Sequence, residues 1–509
     1  MCLNIPVRAL GEFIGWFAAA SSLVVGCGDS GGLSGSNGAV GPVADSGANV
    51  GVDSGAPPQA IDSGTSGDAA VDAGTPRADI PGVACSDPIA DVYVTPASLP
   101  PLTSAARGDV VRCAMDSTLS VSDVQTAVTG AGDTGVTANS GVSIYRVAFR
   151  TTRGNGDAGI SSARVYLPSA PLALPLPVIT IGHATTGMGG ANVPSQDPSS
   201  LKDLALPWAA RGYAVIAPDY AGLGTAGVQG YVDNHDTGFS MLDGARALRK
   251  FLSPGAFSSK VLMAGHSQGG GGVLSAQALA KTYGCDGDLI GAIVFAPEWA
   301  SRLDSFGYVG EINAQPSDLT ISTGITNNVV AAYREYAYFN NYVGAAHATD
   351  AFPAAQASTE ASMLLSLAQV PFGGYLQGID PHIVDQFDPT FRASLSACMS
   401  GASTGCDARE SAYLSFLQQN ILTADPTGAK VLFVQGLLDE VMTAPQEGAC
   451  NVQKLKSDGL TPQLCVDYQA THTNVTPRNI DFAIGWAQAL LGGTTLPTCS
   501  SFGMPTCVP

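Results

Sequence analysis

The sequence predicts an α/β fold: a mostly parallel central sheet flanked by helices, with a helical cap inserted before the strand that leads into an acidic loop. Three observations predict it. From about residue 143, strand-length apolar runs alternate with helical stretches. A Gly-Xaa-Ser-Xaa-Gly pentad stands between one such run and one such helix. Over 300–425 the alternation stops, leaving about 125 residues of helical character between two strands. Parallel strands need crossover connections, and helices usually supply them.

The chain begins with a stretch that reads as an export signal. Arg8 is followed by the apolar run 13–25, shorter than the roughly 20 residues that span a bilayer. Val24-Val25-Gly26-Cys27 resembles a bacterial lipobox, so 1–27 is expected to be a lipoprotein-type signal with Cys27 as a lipid anchor. Residues 28–82 are rich in Gly, Ala, Ser and Asp, with Asp-Ser-Gly recurring at 29, 45, 53 and 62. Such a stretch buries too little apolar surface to offset its ordering entropy, and is expected to be a disordered linker. Residues 83–142 are expected to be an N-terminal extension packed on a main domain at 143–509. The chain is thus expected to reside in the cell envelope, or otherwise to be secreted.

Composition agrees with an oxidising compartment. Eleven cysteines occur, and nine lie beyond Cys27. Spacing suggests the pairs 85/113, 398/406, 450/465 and 499/507, with Cys285 left as a buried thiol. No pair has Cys-Xaa-Xaa-Cys spacing, so no zinc site is indicated. The formal net charge is −19, which repels phosphate backbones and argues against a nucleic-acid partner.

Strands are expected at 144–150, 162–167, 177–182, 213–218, 260–264, 290–296, 430–435 and 464–469. Several are apolar nearly throughout, as suits a sheet buried on both faces. Helices are expected at 201–211, 238–252, 269–283 and 477–491. In the second, Met241, Leu242, Ala245, Leu248 and Leu252 share one face. Further helices are expected in the cap at 327–342, 358–369 and 408–421. A cap so inserted would lie over the carboxyl edge of the sheet, where open α/β sheets place their sites.

The pentad alone is weak in so glycine-rich a chain, and it occurs three times. One match centres on Ser30 in the linker and one on Ser403 between two cysteines. Only Gly265-His266-Ser267-Gln268-Gly269 follows a strand and opens a helix. There the serine hydroxyl would stand above the sheet at a helix N-terminus, with glycines removing the Cβ clashes of a tight turn. Ser267 is therefore the candidate nucleophile.

A serine nucleophile needs a base, and the base an acid. Of the six histidines, His472 follows the last predicted strand and can reach the carboxyl edge. His347 and His382 fall in the cap, and His266 is expected to pack or hydrogen-bond beside the turn. The acid should follow strand 430–435, where Asp439 is the choice and Glu440 the alternative. An oxyanion hole needs two amide donors. Gln268 supplies one. The loop Gly182-His183-Ala184-Thr185-Thr186-Gly187 should supply the other, from Thr185, with Ala184 or Thr186 as alternatives.

On these residues the chain resembles the α/β-hydrolase superfamily and, within it, the secretory lipase family of lipase A-type enzymes. The resemblance covers about 143–492. It rests on the 182–187 loop, on Ala217-Pro218-Asp219-Tyr220-Ala221-Gly222-Leu223-Gly224, on the Ser267 pentad and on Gly436-Leu437-Leu438-Asp439. It implies hydrolysis of carboxylic esters, of a small molecule, a lipid or a polyester, with a cap shaping the acyl pocket and no metal or organic cofactor. A serine peptidase or an acyltransferase could use the same triad. A dinucleotide site at Gly222-Leu223-Gly224-Thr225-Ala226-Gly227 is disfavoured, because no helix opens on those glycines.

Overall fold

Successive side chains on a strand face opposite ways, and that period of two organises the molecule. The computed structural model describes residues 84–169, 174–190, 193–197, 199, 201–299, 331–366, 387–499 and 503–507. The expected signal, Cys27 and the 28–82 linker lie outside them, as does His382.

Nine strands form one sheet: β1 Val110–Leu119, β2 Val142–Thr152, β3 Ala158–Pro168, β4 Leu176–Gly182, β5 Ala214–Pro218, β6 Phe257–His266, β7 Asp288–Phe295, β8 Lys430–Gly436 and β9 Gln463–Asp467. Their order is β1-β2-β3-β5-β4-β6-β7-β8-β9. The first three are antiparallel to their neighbours, and from β5 to β9 every pair is parallel. The fold is thus the mostly parallel α/β sheet that the alternation predicts. One strand was not expected. β1 lies in the supposed extension, yet it pairs along β2, so the sheet begins well before residue 143. Its polar, half-exposed edge position hides the strand from an apolar-run search.

On one face, Leu262 and Ala264, Ile293 and Phe295, and Leu432 and Val434 pack against α2 (Leu206–Ala210) and the C-terminal helix Val475–Gly492. α1 (Val121–Gly130) joins them through Val124 and Val128. On the other face, Val261 and Met263, Ala292 and Val294, and Val431 and Phe433 meet α3 (Asn234–Phe251) and α4 (Gln268–Tyr283). α2 is shorter than the expected 201–211. Pro207 sits in its first turn, where a missing N–H is tolerated, and sets the helix start there.

The described part of the insert between β7 and β8 is helical. It includes residues 331–338, α5 (Ala357–Ser366), α6 (Pro389–Met399) and α7 (Ala408–Gln419). Its core is aromatic, with Tyr333, Tyr336, Phe339, Phe352, Phe387, Phe391 and Tyr413 clustered. Met188, Tyr231 and Val232 of the main domain's loops belong to the same cluster and seat the cap on the sheet edge.

The disulfides correct two of the expected pairs. Cys85–Cys113 and Cys398–Cys406 form, and Cys285 is free. The others are Cys450–Cys507 and Cys465–Cys499, not 450/465 and 499/507. The sheet itself keeps the sequence neighbours apart. Cys465 faces the C-terminal-helix side, whereas α8 (Ala449–Ser457), which carries Cys450, packs through Val452 and Leu455 on the opposite side. The C-terminal tail places Cys499 against the first face and Met504 against the second, so it rounds the edge strand β9.

Candidate active site

The parallel strands end in register, with Gly182 beside Gly265, His266 beside Phe295 and Gly436 beside Asp467. The loops after β4, β6, β7, β8 and β9 therefore meet at one edge.

The β6–α4 turn is strained, as the pentad requires. Ser267 has φ 52° and ψ −120°, a region that a Cβ makes unfavourable by about 1–3 kcal/mol. Its N–H donates to the Phe295 carbonyl at 3.0 Å, and its carbonyl accepts from the amides of Gly271 and Glu298. The two flanking glycines are there for space. A Cβ on Gly265 would lie 2.2 Å from the Gly269 oxygen, and one on Gly269 would lie 2.1 Å from the Gly182 carbonyl carbon and oxygen. α4 thus begins in direct contact with the end of β4.

Three side chains called for by the sequence meet here. His472 Nε2 lies 3.0 Å from Ser267 Oγ, and His472 Nδ1 lies 2.9 Å from Asp439 Oδ2. An ionised carboxylate only accepts, so Nδ1 carries the proton and Ser267 Oγ–H donates to Nε2. Ser267, Asp439 and His472 are all buried. Asp439 Oδ1 also accepts from the amides of Val441 at 2.9 Å and Met442 at 2.7 Å, which hold its other oxygen toward the histidine. Glu440, the alternative acid, meets the backbone of His472 instead: its Oε2 accepts from His472 N at 3.3 Å.

Gln268 is the first residue of α4, and its amide is one of the helix's unpaired N-terminal donors. The amides of Gln268 and Thr185 both lack an acceptor among the described residues. The loop bearing Thr185 is held from behind. His183 stacks on Tyr220 at 4.3 Å, its Nδ1 meets the Ala184 carbonyl at 2.6 Å, and Tyr220 OH donates to the His183 carbonyl at 3.0 Å. Burial pushes His183 down to about 4, so it is a neutral brace.

The remaining histidines stand apart from this chemistry or support it. His347 is in the cap and pairs with Asp350 at 2.8 Å. His235 packs on Phe239. His266 lies with its ring 4.7 Å from that of His472. Burial and the neighbouring imidazole hold it well below the ordinary histidine value, and it hydrogen-bonds the His472 backbone.

Sequence reasoning missed several residues at this edge. Tyr231 hydrogen-bonds Thr185, with Tyr231 OH 2.9 Å from Thr185 Oγ1. Glu298 follows β7 beside the nucleophile, and burial lifts its carboxyl to about 7. Gln435 Nε2 reaches the Met442 carbonyl at 2.8 Å, bracing the acid loop. None has a motif around it. Each is placed at the edge by packing beside a strand end. Among the described residues no cluster of three or more His, Cys, Asp or Glu could hold a metal ion.

The model of the secretory lipase family matches residues 203–382. A lipase A from Moesziomyces aphidis is 26% identical over 160 residues, which is 29% of this chain and 34% of that protein, so the match spans about a third of the relative's length. The structure is similar to that of Candida antarctica lipase A, with a TM-score of 0.58 at 16% identity over 82% of this chain and 89% of that one. It is also similar to the rice cell wall degrading esterase LipA from Xanthomonas oryzae, with a TM-score of 0.55 at 16% identity over 77% and 98%. At these identities the structural likeness is one of fold, the α/β-hydrolase fold.

Proposed function

We propose that this chain, an α/β-hydrolase similar to the secretory lipases, is an exported serine hydrolase that cleaves carboxylic esters through an acyl-enzyme. The observation that carries the proposal is the relay from Ser267 Oγ through His472 to Asp439, with contacts of 3.0 and 2.9 Å, set on a strained strand-to-helix turn. The names of the relatives, lipases and an esterase, agree with ester substrates.

His472 takes the proton of Ser267 as Oγ attacks the ester carbonyl. Asp439 keeps the imidazole in the right tautomer and stabilises its cation. The amides of Gln268 and Thr185 hold the oxygen on which charge develops. His472 then gives its proton to the departing alcohol, leaving an acyl group on Ser267. Water, deprotonated by the same histidine, attacks that acyl group and releases the acid.

Four disulfides suit an oxidising compartment, and in this proposal Cys27 carries the lipid that anchors the chain to a membrane. Loss of membrane association in Cys27→Ala tests the anchor; unchanged partitioning would remove it from the proposal.

The deciding experiment is hydrolysis of p-nitrophenyl esters from acetate to palmitate by the chain and by its Ser267→Ala variant. The variant should lose at least about 10⁴-fold in kcat. Ordinary turnover without the Ser267 hydroxyl would overturn the proposal. Fluorophosphonate labelling at Ser267 with no ester turnover would point instead to a peptidase or an acyltransferase.

A further inference from the structure

Tyr231 joins the oxyanion loop to the cap core through a hydrogen bond and a ring contact at once. Its hydroxyl lies 2.9 Å from Thr185 Oγ1. Its ring is 5.3 Å from that of Tyr333, a cap residue, and only 2% of its surface is exposed. The loop that carries it is pinned to the cap again on either side. Asn341 Nδ2 donates to the Val228 carbonyl at 3.1 Å, and Tyr342 OH donates to Asp233 Oδ2 at 2.6 Å.

Either hydroxyl of the Tyr231–Thr185 pair can donate, and the phenol is taken as the donor. A phenol is the more acidic hydroxyl and the better donor, and an aliphatic hydroxyl is the better acceptor. Burial and the nearby Glu298 carboxyl hold the phenol well above its ordinary value, so its proton stays in place at any working pH. With Tyr231 donating, the hydrogen of Thr185 Oγ1 remains to be used. Apart from Tyr231 OH, Thr185 Oγ1 has no hydrogen-bond partner among the described residues, and Thr185 is half-buried. Thr185 stands just past the Gly182–His183 stretch that touches the start of α4 beside Ser267.

We propose that the Thr185 hydroxyl is a third oxyanion donor, and that Tyr231 is the positioning residue that frees and aims it. The phenol also polarises the threonine O–H, since hydrogen bonds in a chain strengthen one another. Because Tyr333 clamps the Tyr231 ring, the seating of the cap sets the aim of this donor. The inference rests on the ester-hydrolase reading of the site.

The test measures kcat and KM of the full chain on one p-nitrophenyl ester for Thr185→Val, Thr185→Ser, Tyr231→Phe and the Thr185→Val/Tyr231→Phe double variant, beside Ser267→Ala. Thr185→Val and Tyr231→Phe should each lower kcat about tenfold or more. KM should stay within about twofold. Thr185→Ser should recover most of the loss, and the double variant should fall no further than Thr185→Val alone. Tyr231→Phe keeps the ring packing, so it reports on the hydrogen bond even where Thr185→Val folds poorly. The proposal is overturned if Tyr231→Phe keeps full kcat, if Thr185→Ser is as slow as Thr185→Val, if the two losses multiply, or if the losses appear in KM alone. Turnover that survives in Ser267→Ala would instead sink the ester-hydrolase reading itself.

Discussion

His472 Nδ1 lies 2.9 Å from Asp439 Oδ2, while the adjacent Glu440 carboxylate reaches only the His472 amide, at 3.3 Å. Two neighbouring acids thus face one histidine, one at its ring and one at its backbone. Asp439→Asn can still hydrogen-bond the ring, but its amide favours the wrong tautomer. The variant should fold normally and lose about 10³–10⁴-fold in kcat. Glu440→Gln should keep kcat within about tenfold, because only a backbone contact changes. Steady-state kinetics on both variants check this; equal losses would contradict the assignment of Asp439 as the acid.

Gly269 is a packing requirement of the turn. Its Cβ would fall 2.1 Å from the Gly182 carbonyl atoms, which are backbone and have nowhere to go. Gly269→Ala should destabilise the chain by about 2–3 kcal/mol and shift Ser267. A lowered thermal midpoint together with slower labelling of Ser267 is the expected result; a midpoint equal to that of the unaltered chain would rule the clash out.

The cysteine connectivity is directly checkable. Non-reducing peptide mapping should find Cys450 linked to Cys507 and Cys465 to Cys499. The second link closes a separation of 34 residues, and removing it by Cys465→Ala/Cys499→Ala should cost about 4 kcal/mol if unfolded-chain entropy dominates. Recovery of a 450/465 peptide pair would contradict the tail's course around β9.

Asp133 carries a pH dependence of stability. It is fully buried, and neither carboxylate oxygen has a hydrogen-bond partner. Burial, and then the nearby Asp203, push its carboxyl up to about 8. The fold therefore holds this proton more tightly than the unfolded chain does. Its contribution to stability is lost as pH rises from the ordinary carboxylate range through about 8. Asp133→Asn cannot ionise, so it should be more stable than the unaltered chain by more than about 1 kcal/mol in alkaline buffer, with the gap closing in acid. Urea midpoints at both ends of that range measure it; a gap independent of pH would show that Asp133 ionises freely.

The amino-acid sequence made legible the order of strands β2 to β9, the helical insert and the turn that carries Ser267. These features are local. Apolar period, glycines flanking a serine and the break in alternation are all written within a few tens of residues. It also singled out His472 and Asp439 as residues that follow strands ending on one edge.

What those residues touch depends on the folded sheet. Ser267 and His472 are 205 positions apart, and the 3.0 Å between them is set by how strand ends align across the sheet. The same is true of β1, whose polar strand is recognisable only beside β2. The Cys465–Cys499 and Cys450–Cys507 links depend on which face of the sheet each cysteine meets, which spacing along the chain does not encode. Tyr231 and Thr185 lie in two separate loops, 46 positions apart, and meet through one hydrogen bond. Layer order and sheet register are collective properties of the whole core, so contacts that depend on them leave no local pattern to read.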